Sequence, residues 1–124
     1  MKIAVVTDDR QTISAHFGRA IFYVIFTVEN GIIKEQYSVQ KAGHPHANPD
    51  EPPREGHSHD HDHASMLEPI LECTALITRG MGTGAYNALK SRGIKPVITD
   101  IREIDRAVDL YLAGVLVNHL ENLH

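Results

Sequence analysis

A chain of 124 residues has room for one domain with a single core, and its lone cysteine, Cys73, excludes an internal disulfide and any four-thiolate metal or iron–sulfur site within one chain. Hydrophobic content of 42% is ordinary for a globular protein, and no apolar run approaches the roughly 18 residues that span a bilayer, so no membrane role is expected. The net charge of −4 is carried entirely by residues 44–63, where Asp50, Glu51, Glu55, Asp60 and Asp62 face Arg54 alone; the balanced remainder offers no basic surface for nucleic acid.

In chain order, "KIAVVT" (Lys2 to Thr7) is a short β-branched run of the kind that forms a strand buried on both faces. It is too short for a signal peptide, and the expected setting is the cytoplasm. "IFYVIFTV" (Ile21 to Val28) and "IIKEQYSV" (Ile32 to Val39) are two more strands, joined through Asn30-Gly31, a strong hairpin signal because both residues tolerate positive φ. Residues 40–63 follow as an expected flexible loop rich in Pro, His, Asp, Glu and Gly. Beyond it the pattern alternates. "ASMLEPILE" predicts a helix, bent or delayed by Pro69, and "TALIT" (Thr74 to Thr78) a buried strand. "RGMGTG" is a glycine-rich turn, "GAYNALKSRG" a helix stopped by Gly93, and "KPVIT" (Lys95 to Thr99) the last strand. "REIDRAVDLYLAG" is an amphipathic helix with Ile104, Ala107, Val108 and Tyr111 on one face; the last ten residues read as either more helix or a tail.

The predicted order is β-β-β-α-β-α-β-α, a mixed α/β sheet covered by helices in one domain over residues 1–124. If strands 1, 4 and 5 are parallel, the loops after Thr7, Thr78 and Thr99 share one edge, and the third strand of the meander delivers the His-rich loop there too. Ligands of open α/β sheets bind at that carboxyl edge. It would gather His16, Arg19, Arg79, the glycine turn and the His-rich loop.

Within that loop His57, His59, His61 and His63 alternate, with His44 and His46 upstream. On an extended chain alternate residues face one way, about 6.5–7 Å apart. Neutral imidazole suits Zn, Ni and Cu, so these six residues are candidate ligands whose binding weakens below about pH 6.5. The plain alternative is a solvated loop that binds metal adventitiously.

"SAHFGRA", residues 14–20, offers His16 as a ligand and Arg19 as an anion contact beside Phe17 and Gly18; equally, Phe17 plugs the core, Gly18 makes a turn and His16 is simply exposed. In "RGMGTG" the amides of Gly80, Gly82 and Gly84 can approach an anion at a helix N-terminus, with Arg79 adding charge and Met81 a thioether or an apolar contact. The turn lacks the Lys-Ser/Thr of a P-loop, and a plain tight turn explains it as well. Cys73 reads as a small buried hydrophobe, and Asp8 and Asp9 as turn and capping residues.

Three blocks together, "KIAVVTDD" leading to "SAHFGRA", then "ALITRGMGTGAYNALKSRGIKPVITD", then "AVDLYLAG", resemble the dinitrogenase iron–molybdenum cofactor biosynthesis family, with its NifX-like carriers and NifB C-terminal domains. The resemblance covers nearly the whole chain apart from the His-rich loop and the last few residues. It implies a ribonuclease-H-like fold and a protein that binds and carries a metal–sulfur cluster of the iron–molybdenum type, or a precursor, without turning over a substrate. It makes His16 the leading cluster ligand, with Phe17, Gly18, Arg19, Arg79, Gly80, Met81, Gly82 and Gly84 around the cofactor. Some small relatives are associated with molybdenum–copper sulfide clusters. The implied partners are donor and acceptor proteins of cofactor assembly. There is no CxxxCxxC radical motif, so the enzymatic half of NifB-type proteins is absent. The alternative function is a divalent-metal sequestering or delivery protein, for Ni, Zn or Cu, acting through the His-rich loop.

Overall fold

Strands dense in β-branched residues demand cover on both faces, and the computed structural model, which describes residues 1–41 and 66–123, buries the central strands in this way and leaves the edge strand Ile32–Gln40 largely exposed. The five strands are β1 (Lys2–Thr7), β2 (Phe22–Glu29), β3 (Ile32–Gln40), β4 (Ala75–Thr78) and β5 (Lys95–Ile98). They form one mixed sheet in the order β3-β2-β1-β4-β5. The meander β1-β2-β3 is antiparallel, while β1, β4 and β5 run parallel. The Asn30-Gly31 hairpin closes with both residues at positive φ, 52° and 75°, as its sequence predicts.

Alternation along β1 divides the core. Ala4 and Val6 join Tyr23, Ile25, Leu76 and Ile98 on one face, packed under Leu89 of helix α1 (Thr83–Ser91). Ile3 and Val5 join Val24, Phe26, Ile77 and Val97 on the other, under Ile104, Ala107 and Val108 of helix α2 (Ile104–Leu112). Both helices end alike. After α1, Gly93 at φ 77° lets its own N–H reach Lys90 O and that of Ile94 reach Leu89 O. Gly114, also at φ 77°, repeats the arrangement after α2 through Tyr111 O and Leu110 O.

In the described part of "ASMLEPILE", Met66 and Leu67 are helical as expected, and the chain then tightens into a 3-10 turn over Glu68–Ile70. Pro69 brings no N–H and crowds the preceding turn, so the helix gives way at it. The last residues resolve as a tail. His119 N–H donates to Ile98 O at 2.7 Å, and the Asn118 side chain accepts from Ile98 N–H and donates to Pro96 O. The tail thereby covers the outer edge of β5, where Pro96 is tolerated because an edge strand can spare a donor.

Among the described residues no helix is long and apolar enough to cross a membrane.

Candidate functional site

Each of the three parallel strands is followed or ended by a buried threonine: Thr7, Thr78 and Thr99. Their hydroxyls turn the chain at the carboxyl edge. Thr7 Oγ1 donates to Thr12 O, Thr78 Oγ1 donates to Gly80 O at 2.9 Å, and Thr99 Oγ1 accepts from Ile101 N–H at 3.1 Å. A hydroxyl serves here because a buried loop start must satisfy its backbone groups locally.

Two acids shape the first loop. Asp9 Oδ1 accepts the N–H groups of Gln11 (2.9 Å) and Thr12 (2.7 Å), and Oδ2 accepts from the Thr12 hydroxyl. Those donors, the Thr12 N–H foremost, hold its carboxyl down at about 2. Asp8 Oδ1 accepts from Ile21 N–H at 3.2 Å and closes the far end of the loop. Both serve as loop fasteners, the role their position predicts. Directly after Asp9, Arg10 takes a positive φ of 66° and lays its guanidinium 4.4 Å from the Phe22 ring centroid.

The two glycine- and arginine-bearing blocks meet. Arg79 N–H donates to Ser14 O at 3.1 Å, and Phe17 N–H donates to Gly80 O at 3.0 Å. Ser14 is buried; its Oγ accepts from His16 N–H at 3.2 Å. His16 then starts a 3-10 turn over Phe17–Arg19, its carbonyl accepting from Arg19 and Ala20. The same loop is tied to its other neighbour, since Ile13 N–H donates to Arg102 O and Ile104 N–H to Gln11 O.

Within this frame the candidates separate. The His16 and Arg19 side chains are exposed, as is Gly18, while Gly82 stands at the N-cap of α1. Among the described residues a Cβ at Gly18 or Gly82 would meet nothing within 4 Å, and neither residue has positive φ. Neither packing nor backbone geometry within the described part asks for glycine there. Arg79 is half-buried, and its Nε is buried without a hydrogen-bond partner among the described residues. Helix α1 opens at this rim with no side-chain cap from Gly82 and no acidic residue in its first turn. Gly80 is buried and Gly84 exposed in the same turn.

Phe17 and Met81 serve the core, each 2% exposed or less. The Phe17 ring lies 6.4 Å from that of Tyr23, and Met81 forms an isolated bridge with Leu123 of the tail. Cys73 is also buried, just before β4 and so at the opposite edge of the sheet; burial pushes its thiol up to about 11. His44, His46, His57, His59, His61 and His63 lie outside the described residues. Among those described, no group of three or more His, Cys, Asp or Glu is placed to hold a metal ion. Among the described residues His16 is therefore an exposed imidazole on an edge that also presents backbone donors and the Arg19 and Arg79 guanidinium groups.

One residue of this neighbourhood escaped the sequence reading. Lys41, directly after β3, is 2% exposed, with its ammonium 4.8 Å from the Phe17 ring centroid and 5.9 Å from that of Tyr23. The signal was present in the strand's period of two: Tyr37, Val39 and Lys41 fall on one face. The Tyr23 hydroxyl donates to Met66 O at 2.8 Å. The chain thus leaves toward residues 42–65 and returns from them beside the same aromatic pair.

With the edge laid out, comparison with known proteins decides the family. The model of the dinitrogenase iron–molybdenum cofactor family matches residues 1–114. The chain belongs to that family. MJ0580 of Methanocaldococcus jannaschii, itself uncharacterised, is 30% identical over 116 residues, 94% of this chain and 89% of the relative. The crystal structure of MJ0327 from the same organism, assigned there as a candidate dinitrogenase, matches with a TM-score of 0.68 at 16% identity, covering 97% of this chain and 95% of that one. The apo form of the orange protein from Desulfovibrio gigas matches with a TM-score of 0.68 at 20% identity, covering 96% and 92%. At these identities the structural likeness is one of fold.

Proposed function

We propose that the protein is a non-enzymatic carrier of an anionic metal–sulfur cargo, an iron–molybdenum-type cluster or its precursor. The observation that carries this is the make-up of one edge. Among the described residues, an exposed imidazole at His16, two glycines that neither packing nor backbone requires, and an Arg79 Nε with no partner stand on two hydrogen-bonded loops. Such a rim suits a bulky anion: one nitrogen ligand anchors it, guanidinium groups and backbone amides meet its charge, and the missing Cβ atoms let it come close. Family membership supports the same cargo class. A ribonuclease-H-like single domain of 124 residues, acting in the cytoplasm between donor and acceptor proteins of cofactor assembly, completes the reading.

The test is titration of the untagged protein with tetrathiomolybdate under anaerobic conditions, followed by visible absorption. His16→Ala should weaken binding by at least about tenfold, close to 1.4 kcal/mol, with an unchanged melting curve. Gly82→Val should weaken it by crowding the rim. Wild-type affinity in both variants would sink the reading.

A second reading, divalent-metal capture by His44, His46, His57, His59, His61 and His63, draws on the alternating histidines and on the return of their segment to Tyr23 beside the edge. Deleting residues 44–63 should abolish tight Ni, Zn or Cu binding; retention of that binding would reject it.

A further inference from the structure

Lysine is seldom fully buried without a partner, because its ammonium loses hydration that little in a core replaces. Lys41 is 2% exposed at the carboxyl edge, and what lies against its ammonium among the described residues is aromatic: the Phe17 ring at 4.8 Å and the Tyr23 ring at 5.9 Å. Both separations fall within the roughly 6 Å over which a cation is attracted to a ring face. Its backbone is held as well, Lys41 N–H donating to Ile21 O at 2.8 Å. The N–H of the same Ile21 donates to Asp8, the carboxylate that acts electrostatically on the Lys41 amine.

Phe17 cannot move alone. It is 1% exposed, its N–H is bonded to Gly80 O, and it is the first residue of the 3-10 turn that starts from His16 and ends in Arg19. The position of the ring therefore fixes where the His16 imidazole and the Arg19 guanidinium leave the surface.

We propose that Lys41 is a positioning residue of the cargo edge: its protonated ammonium holds the Phe17 ring, and through it the His16–Arg19 turn, in the orientation that receives an anionic metal–sulfide group. The proposal rests on the carrier reading. Among the described residues, the groups facing Lys41 are Asp8 from the loop after β1, Phe17 from the turn and Tyr23 from β2. Burial holds the Tyr23 phenol in its neutral form and pushes the Lys41 amine down to about 8, with Asp8 opposing the fall. The lysine is thus charged at neutral pH and discharged not far above it.

The test has a part that needs no cargo. In the wild type alone, NMR signals of the Phe17 ring should titrate with a midpoint near 8, and in Lys41→Met they should be flat. With tetrathiomolybdate near pH 7, Lys41→Met should bind at least about tenfold more weakly and Lys41→Arg within about threefold of wild type. Raising the pH to about 9 should weaken the wild type toward Lys41→Met and leave Lys41→Arg unchanged, since a guanidinium keeps its proton. That last comparison holds even if Lys41→Met fails to fold. Phe17 signals that do not titrate in the wild type, or Lys41→Met binding as tightly as wild type, would overturn the proposal. A wild type that binds no tetrathiomolybdate overturns the carrier reading and the cargo half of this one; a surviving Phe17 titration tells that failure apart.

Discussion

Asp9 and Lys41 titrate on opposite sides of neutrality, and both leave a trace in stability. The folded Asp9 carboxyl sits at about 2 against an ordinary 3.8, so the unfolded chain binds the proton more readily. Its contribution is complete above that ordinary value and is lost as pH falls through about 2. Replacing Asp9 with Ala should lower the melting temperature at pH 5, and the gap to wild type should narrow on acidification toward pH 2. A constant gap would show that the loop does not depend on the ionised form. For Lys41 the sign is the same, in a higher pH window. Its folded amine lies at about 8 against 10.5, so the unfolded state holds more protons between those values and this group adds stability as pH rises through them. Thermal unfolding of wild type between pH 8 and 10 should therefore rise relative to Lys41→Met, or fall less steeply. Cys73, buried and with its thiol near 11, should resist iodoacetamide in the native protein and react on unfolding.

At the scale of elements, the strands, the hairpin and the two helix ends follow local chemistry closely. Asn30-Gly31, Gly93 and Gly114 sit at the positive φ that their positions ask for. The tail was not legible in the same way. Its run "VLVNHLENLH" has no decisive periodicity, and what fixes it is a side chain acting as backbone: Asn118 serves Ile98 N–H and Pro96 O together. Asn118→Ala should cost about 1–2 kcal/mol in urea unfolding, because two edge groups lose their partner. Amide exchange at Ile98 should quicken, and unaltered exchange there would mean that water replaces the asparagine without loss. Further along the tail, His119 Nδ1 lies 2.8 Å from Glu121 Oε2, and that carboxylate raises the imidazole's affinity for a proton. Around Pro69 the helical Met66 and Leu67 give way to the 3-10 turn Glu68–Ile70, because proline cannot sit in a helix interior.

For the whole molecule, the decisive feature is that β1, β4 and β5 run parallel while β3 leaves in the same direction as β1. That arrangement brings "HFGRA", "RGMGTG" and Lys41 to one edge. Elemental analysis of protein purified anaerobically without a metal column measures what the edge carries. Molybdenum, or iron with sulfide, near one equivalent per chain is the expected outcome. Nickel, zinc or copper alone would shift the weight to the histidines of residues 44–63.

Composition and periodicity alone determined the class of fold, because buried strands and amphipathic helices announce themselves through apolar spacing that water enforces residue by residue. His16 and the glycine turn read equally well as an exposed histidine and a tight turn, and it was the family resemblance that made them the leading candidates. Only the tertiary structure decided which of these residues touch. The pairing of Ser14 with Arg79 and of Phe17 with Gly80 joins segments more than sixty residues apart, and no local pattern encodes a hydrogen bond across that distance. The same holds for Lys41: its charge reads as surface in the sequence, and it is buried because a strand of fixed period carries it inward, onto two aromatic rings that a different part of the chain has already put in place.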